Sequence, residues 1–201
     1  MLEVGVMSWT EETKNPGRYM AVHGGHKVYL DDPKPADFDP VRSAHGLSHE
    51  CRYGGNYGPY SVAQHAVLVA ETVARLGGTP LQQLAGLHHD DTEAVLGDLP
   101  SPVKSLCPDF RTLEKRLEVA VNARYGVDVN DELVKEADRI LFCAEIKWLV
   151  PREHHHLYLP YGDPSYRVDM QPEGTEFVFW SADEARKTYL TLHEELVKRE
   201  R

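Results

Sequence analysis

Apolar residues in this chain recur mostly at helical rather than alternating spacing. Val62, Ala66, Val69, Ala70 and Val73 fall three and four residues apart after Ser61, and Gly77-Gly78 closes the run. Leu84 and Leu87 continue the rhythm in a second helix that carries His88-His89 and fades at Gly97 and Pro100. A longer amphipathic stretch follows Asp109, with Phe110, Leu113, Leu117, Ala120 and Val121 on one side and Gly126 as terminator. Leu133, Ala137, Ile140, Leu141, Ala144 and Trp148 form another face between an Asn130 cap and Pro151.

Start signals agree with the periodicity. Asp39-Pro40 supplies an N-cap and a first-turn proline for a helix to about Cys51, with Ala44 and Leu47 on its apolar side. SVAQ (61–64), TPLQ (79–82) and SADE (181–184) all have capping-box form, the last opening a charged C-terminal helix. Pro102 begins a short helical turn that presents Lys104. Strand-like character is confined to KVYL near the N-terminus and EFVFW near residue 178, within loop-like stretches at 1–38 and 151–180. The pattern predicts a mostly α protein, a bundle of five to seven helices with short strand-like or loop segments near the N-terminus and at residues 160–180. No repeat or composition shift divides it, so residues 1–201 read as one domain.

Composition narrows the function classes. A chain of 201 residues buries roughly 70% of its unfolded surface and can close around a site. A formal charge of −10 argues against a nucleic acid polymer as partner, because phosphate pairing needs clustered Lys and Arg. Small phosphorylated ligands stay open, since a bound cation inverts the local field. Cys51, Cys107 and Cys143 are dispersed and form no CxxC pair, which argues against a disulfide framework or thiolate zinc site and for the reducing cytoplasm. The first twenty residues lack a signal peptide pattern, and the apolar run Ile140–Val150 is interrupted by Glu145 and Lys147, so no membrane association is expected.

The densest chemistry lies in LHHDDTEAVLGDLPSPVK, residues 87–104, where two histidines and four carboxylates crowd eighteen positions. Three readings apply: a reactive metal centre, a closed metal site that only holds the fold, and a solvated helix end. His65, the pair His89-Asp90, and Asp138 come from three predicted helices, each among apolar neighbours. A carboxylate on the buried side of a helix, as Asp138 is expected to be, is costly without a cation. Two imidazoles and two carboxylates suit Mn, Fe, Co, Ni or Zn, and an octahedral ion so held keeps about two positions for water or substrate. Glu93 lies one helical turn beyond His89, placed to accept a proton from attacking water. Asp98 follows Gly97, where the chain can turn back toward the ion. Arg52 and Lys104 are the candidate phosphate clamps, and Tyr53 a candidate surface for base or sugar. His23, His26, His45, His49 and the run His154–His156 are read as solvated, structural or pocket-lining.

SVAQH, HHDDTEAVLGDLPSPVK and VKEAD resemble the signature blocks of the HD-domain phosphohydrolases, over roughly residues 36–150. Within that family the chain is similar to bacterial 5′-deoxynucleotidases and phage dATP or dNTP triphosphohydrolases. The resemblance implies an HD-domain helical bundle with a metal-binding core at about 36–150, holding one divalent cation (Mn, Co, Zn, Fe or Ni) on His65, His89, Asp90 and Asp138. It implies catalytic importance for Glu93 and Asp98 and places Pro102 in the segment that walls the sugar or base. The relatives carry an Arg-Trp pair before the first metal histidine; here Arg52-Tyr53 stands in a loop of different length, which leaves base preference open. The implied activity is metal-dependent hydrolysis of a deoxynucleotide, water on the cation attacking the α-phosphorus. The loop before SVAQH favours a dNTP triphosphohydrolase, dATP being one substrate and a second ion such as Mg accompanying the triphosphate. The alternatives are a dNMP 5′-deoxynucleotidase and a non-catalytic nucleotide-sensing module. An alarmone hydrolase is disfavoured, because those relatives carry HDxxED and Ala94 follows Glu93 here. A cytoplasmic homo-oligomer, dimer or hexamer, is also implied.

Overall fold

A computed structural model describes residues 18–158 and 177–200. An antiparallel hairpin of β1 (Tyr19–Val22) and β2 (His26–Tyr29) pairs Met20 with Val28. Among the described residues eight α-helices follow: α1 (Pro40–His49), α2 (Val62–Arg75), α3 (Pro80–His88), α4 (Glu93–Leu96), α5 (Ser101–Lys104), α6 (Pro108–Tyr125), α7 (Glu132–Leu149) and α8 (Ala182–Arg199). The mostly α expectation holds, and KVYL contributes β2. None of these helices is long and apolar enough to cross a membrane.

Helix α2 is the axle of the bundle. Ten of its fourteen residues are buried, because α1, α3, α7 and α8 all pack against it. A helix surrounded on every side must be apolar or internally satisfied all round. Its two buried polar residues near the N-terminus, Gln64 and His65, therefore need partners. Gln64 finds them at a distance: its amide donates to the Val178 carbonyl at 2.9 Å and accepts from Trp180 N–H at 3.0 Å. That diversion explains one departure from expectation. Ser61 caps the Gln64 N–H at 3.1 Å, but Gln64 does not reach back to complete a capping box. It also leaves residues 177–180 extended on α2 without strand pairing, where EFVFW was expected to be a strand. The remainder of the loop expected at 160–180, up to residue 176, and the N-terminal loop before residue 18 lie outside the described residues.

Two other expectations are corrected. The helix expected to continue through His89 toward Gly97 stops at His88. Residues 89–92 form a tight turn in which Asp91 N–H bonds the His88 carbonyl and Glu93 N–H the Asp90 carbonyl. The short helix α4 then starts separately and ends at Gly97 with φ 80°. This break makes eight helices of the expected five to seven. The cap of α7 is Asp131 rather than Asn130, its carboxylate accepting from Leu133 N–H at 2.8 Å. The caps at Asp39, Thr79 and Ser181 stand as read.

Close helix approaches bring the chemistry together. Gly86 on α3 lies against α2, where a β-carbon would stand 3.2 Å from Val73 Cγ2 and 3.3 Å from Ala70 Cα. Gly46 on α1 faces α4, and a β-carbon there would meet the Ala94 backbone at 3.0 Å. Overpacking of this kind costs about 1–3 kcal/mol, against about 1 kcal/mol gained in helix propensity. Gly46→Ala is thus expected to destabilise by about 1 kcal/mol, lowering Tm by roughly 2–4 °C for a chain of this size. A melting curve at or above the wild-type Tm would contradict this account of the α1–α4 contact.

Candidate metal centre and its cavity

The break after His88 divides the HHDD run between two directions. His89 and Asp90 turn toward α2 and α7, while His88 and Asp91 turn into the core. His65, His89 and Asp138 offer ligand atoms all within 4.8 Å of one another. Asp90 Oδ2 lies 3.1 Å from His89 Nε2 and 3.6 Å from His65 Nε2. The four residues proposed from sequence are therefore neighbours in space, with one difference. Asp138 is not sunk on the buried side of its helix: its side chain is 43% exposed and opens onto a cavity. The ends of α2, α3 and α7 leave that side of the cluster open.

Both imidazoles have fixed orientations. His89 Nδ1–H donates to the Gly86 carbonyl at 2.8 Å, and His65 Nδ1–H donates to Glu145 Oε1 at 2.7 Å. Each ring thereby turns Nε2 toward the other. Among the described residues four buried side-chain atoms have no hydrogen-bond partner: His65 Nε2, His89 Nε2, Glu93 Oε2 and Arg52 Nε. All four surround this one centre. Leaving such atoms unpaired costs about 1–3 kcal/mol each, and a cation on the two nitrogens satisfies both. Two imidazoles, which would give up any Nε2 proton to a metal, beside two carboxylates form a donor set that fits a divalent transition metal.

The charges respond to the same crowding. Burial disfavours a protonated His89, yet Asp90, Asp138 and the Gly86 carbonyl outweigh it and raise its pKa to about 9. Burial likewise opposes ionisation of Asp90, and His89, His65 and Arg52 reverse this, holding it well below the usual carboxylate range. Burial, Asp90 and Asp98 together push Glu93 well above that range.

The cavity, about 580 Å³, is lined at this end by Asp90, Glu93, Asp98, Asp138, Arg52 and Lys104. Asp98 sits where Gly97 turns the chain, its backbone N–H held by Glu50 Oε1 at 3.2 Å. Lys104 Nζ lies 2.6 Å from Glu114 and 3.9 Å from Glu93. Pro102 forms part of the wall, and the far end is aromatic, with Tyr53, Tyr57, Phe142 and Tyr158. The Tyr53 ring lines the cavity, while its hydroxyl turns inward to donate to Glu145. All the sequence-assigned site residues thus border the cavity or the ion position. The other histidines do not. His23, His45 and His49 stack on one another, His26 pairs with Asp37 at 2.7 Å, and His155 and His156 bond backbone carbonyls.

Glu145 is the functional residue that sequence reasoning passed over. It appeared only as an interruption of an apolar run, yet it is fully buried and bonded to four donors. Its position seven residues after Asp138, two turns along the same face of α7, was the available signal.

The core-facing half of HHDD forms a second polar network. His88 Nδ1–H donates to Asp91 Oδ2 at 2.9 Å, Ser43 donates to the same oxygen at 2.9 Å, and Tyr189 from α8 donates to Asp91 Oδ1. His88 Nε2 accepts from His193 Nδ1–H at 2.9 Å, and its ring stacks on Tyr125 at 3.6 Å. This ties α8 to the segment that carries His89 and Asp90.

No family model matches the chain. It is 34% identical over 131 residues to the uncharacterized protein YfdR of Escherichia coli (strain K12), spanning 63% of this chain and 70% of YfdR. It is 40% identical over 110 residues to an uncharacterized protein of Rhodobacter capsulatus, spanning 51% of this chain and 56% of that protein. A mostly helical protein in which His65, His89, Asp90 and Asp138 meet beside a lined cavity is the class that fold and site define. Within it, the chain belongs to the family of YfdR.

The α8 network carries a pH signature. Burial, followed by His88, depresses the pKa of His193 from the ordinary 6.5 to about 4. Between those values the unfolded chain binds more protons than the folded one, so stability falls as pH drops through 6.5 toward 4. His193→Asn is expected to flatten this acid limb in melting curves taken from pH 4.5 to 8. An unchanged slope would remove His193 from the balance.

Proposed function

We propose that the protein is a metal-dependent phosphohydrolase of deoxynucleotides, related to the HD-domain enzymes that its HHDDTEAVLGDLPSPVK block resembles. The observation that carries the reading is the convergence of unpartnered polar atoms on one point. Two imidazole nitrogens, a carboxylate oxygen and an arginine nitrogen are buried without partners beside Asp90 and Asp138. A divalent ion on His65, His89, Asp90 and Asp138 would supply Lewis-acid activation of water and of the phosphoryl group.

The protein's own groups would do the rest. Glu93, which lines the cavity and whose Oε2 has no partner, accepts the proton that the attacking water gives up. That role needs an ionised Glu93, and positive charge beside it opposes the crowding by Asp90 and Asp98. Asp98 borders the same space and orients the water or the leaving oxygen. Arg52 offers its planar fork to a phosphoryl oxygen, and Lys104 stands near Glu93 as a point charge for another. The aromatic end, with Tyr53, Tyr57, Phe142 and Tyr158, receives the base and sugar against the Pro102 wall. The choice of deoxynucleotides over other phosphate esters follows the family resemblance.

Charge favours a monophosphate over a triphosphate. Arg52, Lys104 and Arg139 line the cavity against Asp90, Glu93, Asp98 and Asp138. Arg52, Lys104 and Arg139 are already paired with Glu145, Glu114 and Glu136. Counting those glutamates, one divalent ion leaves the wall without net positive charge, which suits a monophosphate better than a triphosphate. A triphosphate would have to bring a second cation such as Mg. The dNMP 5′-deoxynucleotidase reading therefore gains on the triphosphohydrolase reading that the loop before SVAQH favours. A cytoplasmic location is supported by the free thiols of Cys51 and Cys107, and a homo-oligomeric state by the resemblance.

The test is a panel of dNMPs and dNTPs with Mn, Co, Mg or Zn, scoring phosphate and triphosphate release. Phosphate from at least one dNMP is expected, and triphosphate release alone would reverse the preference. Binding with no release from any nucleotide would leave a sensing module. Glu93→Gln is expected to keep metal affinity while kcat falls by about a hundredfold or more. Full activity in that variant would exclude Glu93 as the proton acceptor.

A further inference from the structure

Glu145 joins two parts of the site that would otherwise be independent. Its Oε1 accepts from His65 Nδ1–H at 2.7 Å and from Tyr60 O–H at 2.7 Å. Its Oε2 accepts from Arg52 at 3.1 Å and from the Tyr53 hydroxyl. One oxygen thus serves a metal ligand, and the other serves the loop that lines the cavity.

That loop needs an external hold. Tyr53 has φ 58°, the single non-glycine residue with positive φ among those described, and Gly54, Gly55 and Gly58 around it are also positive. A bulky side chain in the left-handed region costs of order 1–2 kcal/mol and persists only where its surroundings fix it. Arg52 and Tyr53 are fixed through side chains that end on Glu145, ninety-three and ninety-two positions later in the chain. Arg52 also lies 3.7 Å from the ligand Asp90, so the same guanidinium borders both parts.

From this geometry we infer that Glu145 is a positioning residue that couples the cation to the substrate loop. It fixes the His65 tautomer with Nε2 free for metal and holds Arg52 and Tyr53 in the cavity wall. Metal binding, which immobilises His65, therefore tightens residues 52–58 through one carboxylate, and loosening the loop weakens the ion. This rests on the metal reading above but assigns a role to a residue that neither binds metal nor touches substrate.

The experiment measures MnCl₂ and CoCl₂ binding by titration calorimetry, and backbone deuterium exchange in peptides covering 52–58 with and without metal. Wild type is expected to bind one ion and to slow exchange in that loop. Glu145→Ala is expected to weaken binding by about 10–100-fold, the usual loss when a histidine ligand's outer partner is removed, and to abolish the metal-dependent protection. Glu145→Gln can still accept from His65 through its amide oxygen but loses the charge facing Arg52. It should recover much of the affinity without the loop protection. Should the alanine variant fail to fold, Tyr60→Phe removes one donor from the carboxylate and is expected to weaken binding a few-fold. A merely structural role would lower Tm but leave affinity and metal-dependent exchange as in wild type, and that result would overturn the coupling while sparing the metal reading. A wild-type protein that binds neither ion would overturn both.

Discussion

The arrangement depends on where a buried imidazole can find hydrogen-bond partners. His65 lies in the most enclosed helix of the protein, without access to water, and its ring has two nitrogens to satisfy. Glu145 answers one; among the described residues the other makes no hydrogen bond, although Asp138 Oδ1 stands 3.1 Å from it. Because burial makes unpaired polar atoms expensive, the second nitrogen has to be repaid by something outside the chain or by the rest of the fold. His89 presents the same imbalance from α3, so the two deficits meet at one point. The cluster is a deliberate local weakness in an otherwise well-satisfied core, the form that a ligand site takes.

The surrounding fold exists to hold that point steady. Small residues let α3 and α4 approach their neighbours closely, and the tight turn after His88 re-aims the chain by less than one helical turn. The C-terminal helix, distant in sequence, reaches the same turn from behind through Tyr189 and His193. The site is consequently clamped on both faces: by α2 and α7 where the ion would sit, and by α8 on the opposite side.

Much of this was legible in the sequence, and the reasons are specific. The apolar faces of α2, α6 and α7 repeat at short range, and caps such as Asp39 and Thr79 act within three residues, so local pattern sufficed. The motif HHDDTEAVLGDLPSPVK carried the site residues together, because the turn and the chemistry are contiguous. What stayed hidden is non-local. The contact of His65 with Glu145 spans eighty positions, and that of Gln64 with residues 178 and 180 spans more than a hundred. Neither leaves a periodic trace. The break at His88 was missed for a related reason: the Leu84–Leu87 rhythm continues into α4, and only three-dimensional demands on four adjacent side chains end the helix there.

The divided use of His88, His89, Asp90 and Asp91, outer pair to the core and inner pair to the site, has one more consequence. The run contains each residue type twice, so chemistry alone does not say which histidine belongs to the ion and which to the core. A slip of one residue would bring two carboxylates or two imidazoles to the site and put Thr92 or Leu87 in the core, so like side chains must be told apart. Register must be read from elsewhere, from the flat stacking of His88 on Tyr125, the hydroxyls of Ser43 and Tyr189, and the Gly86 carbonyl that claims His89. These apolar and hydroxyl neighbours, none of them a ligand, are what make a degenerate tetrapeptide unambiguous.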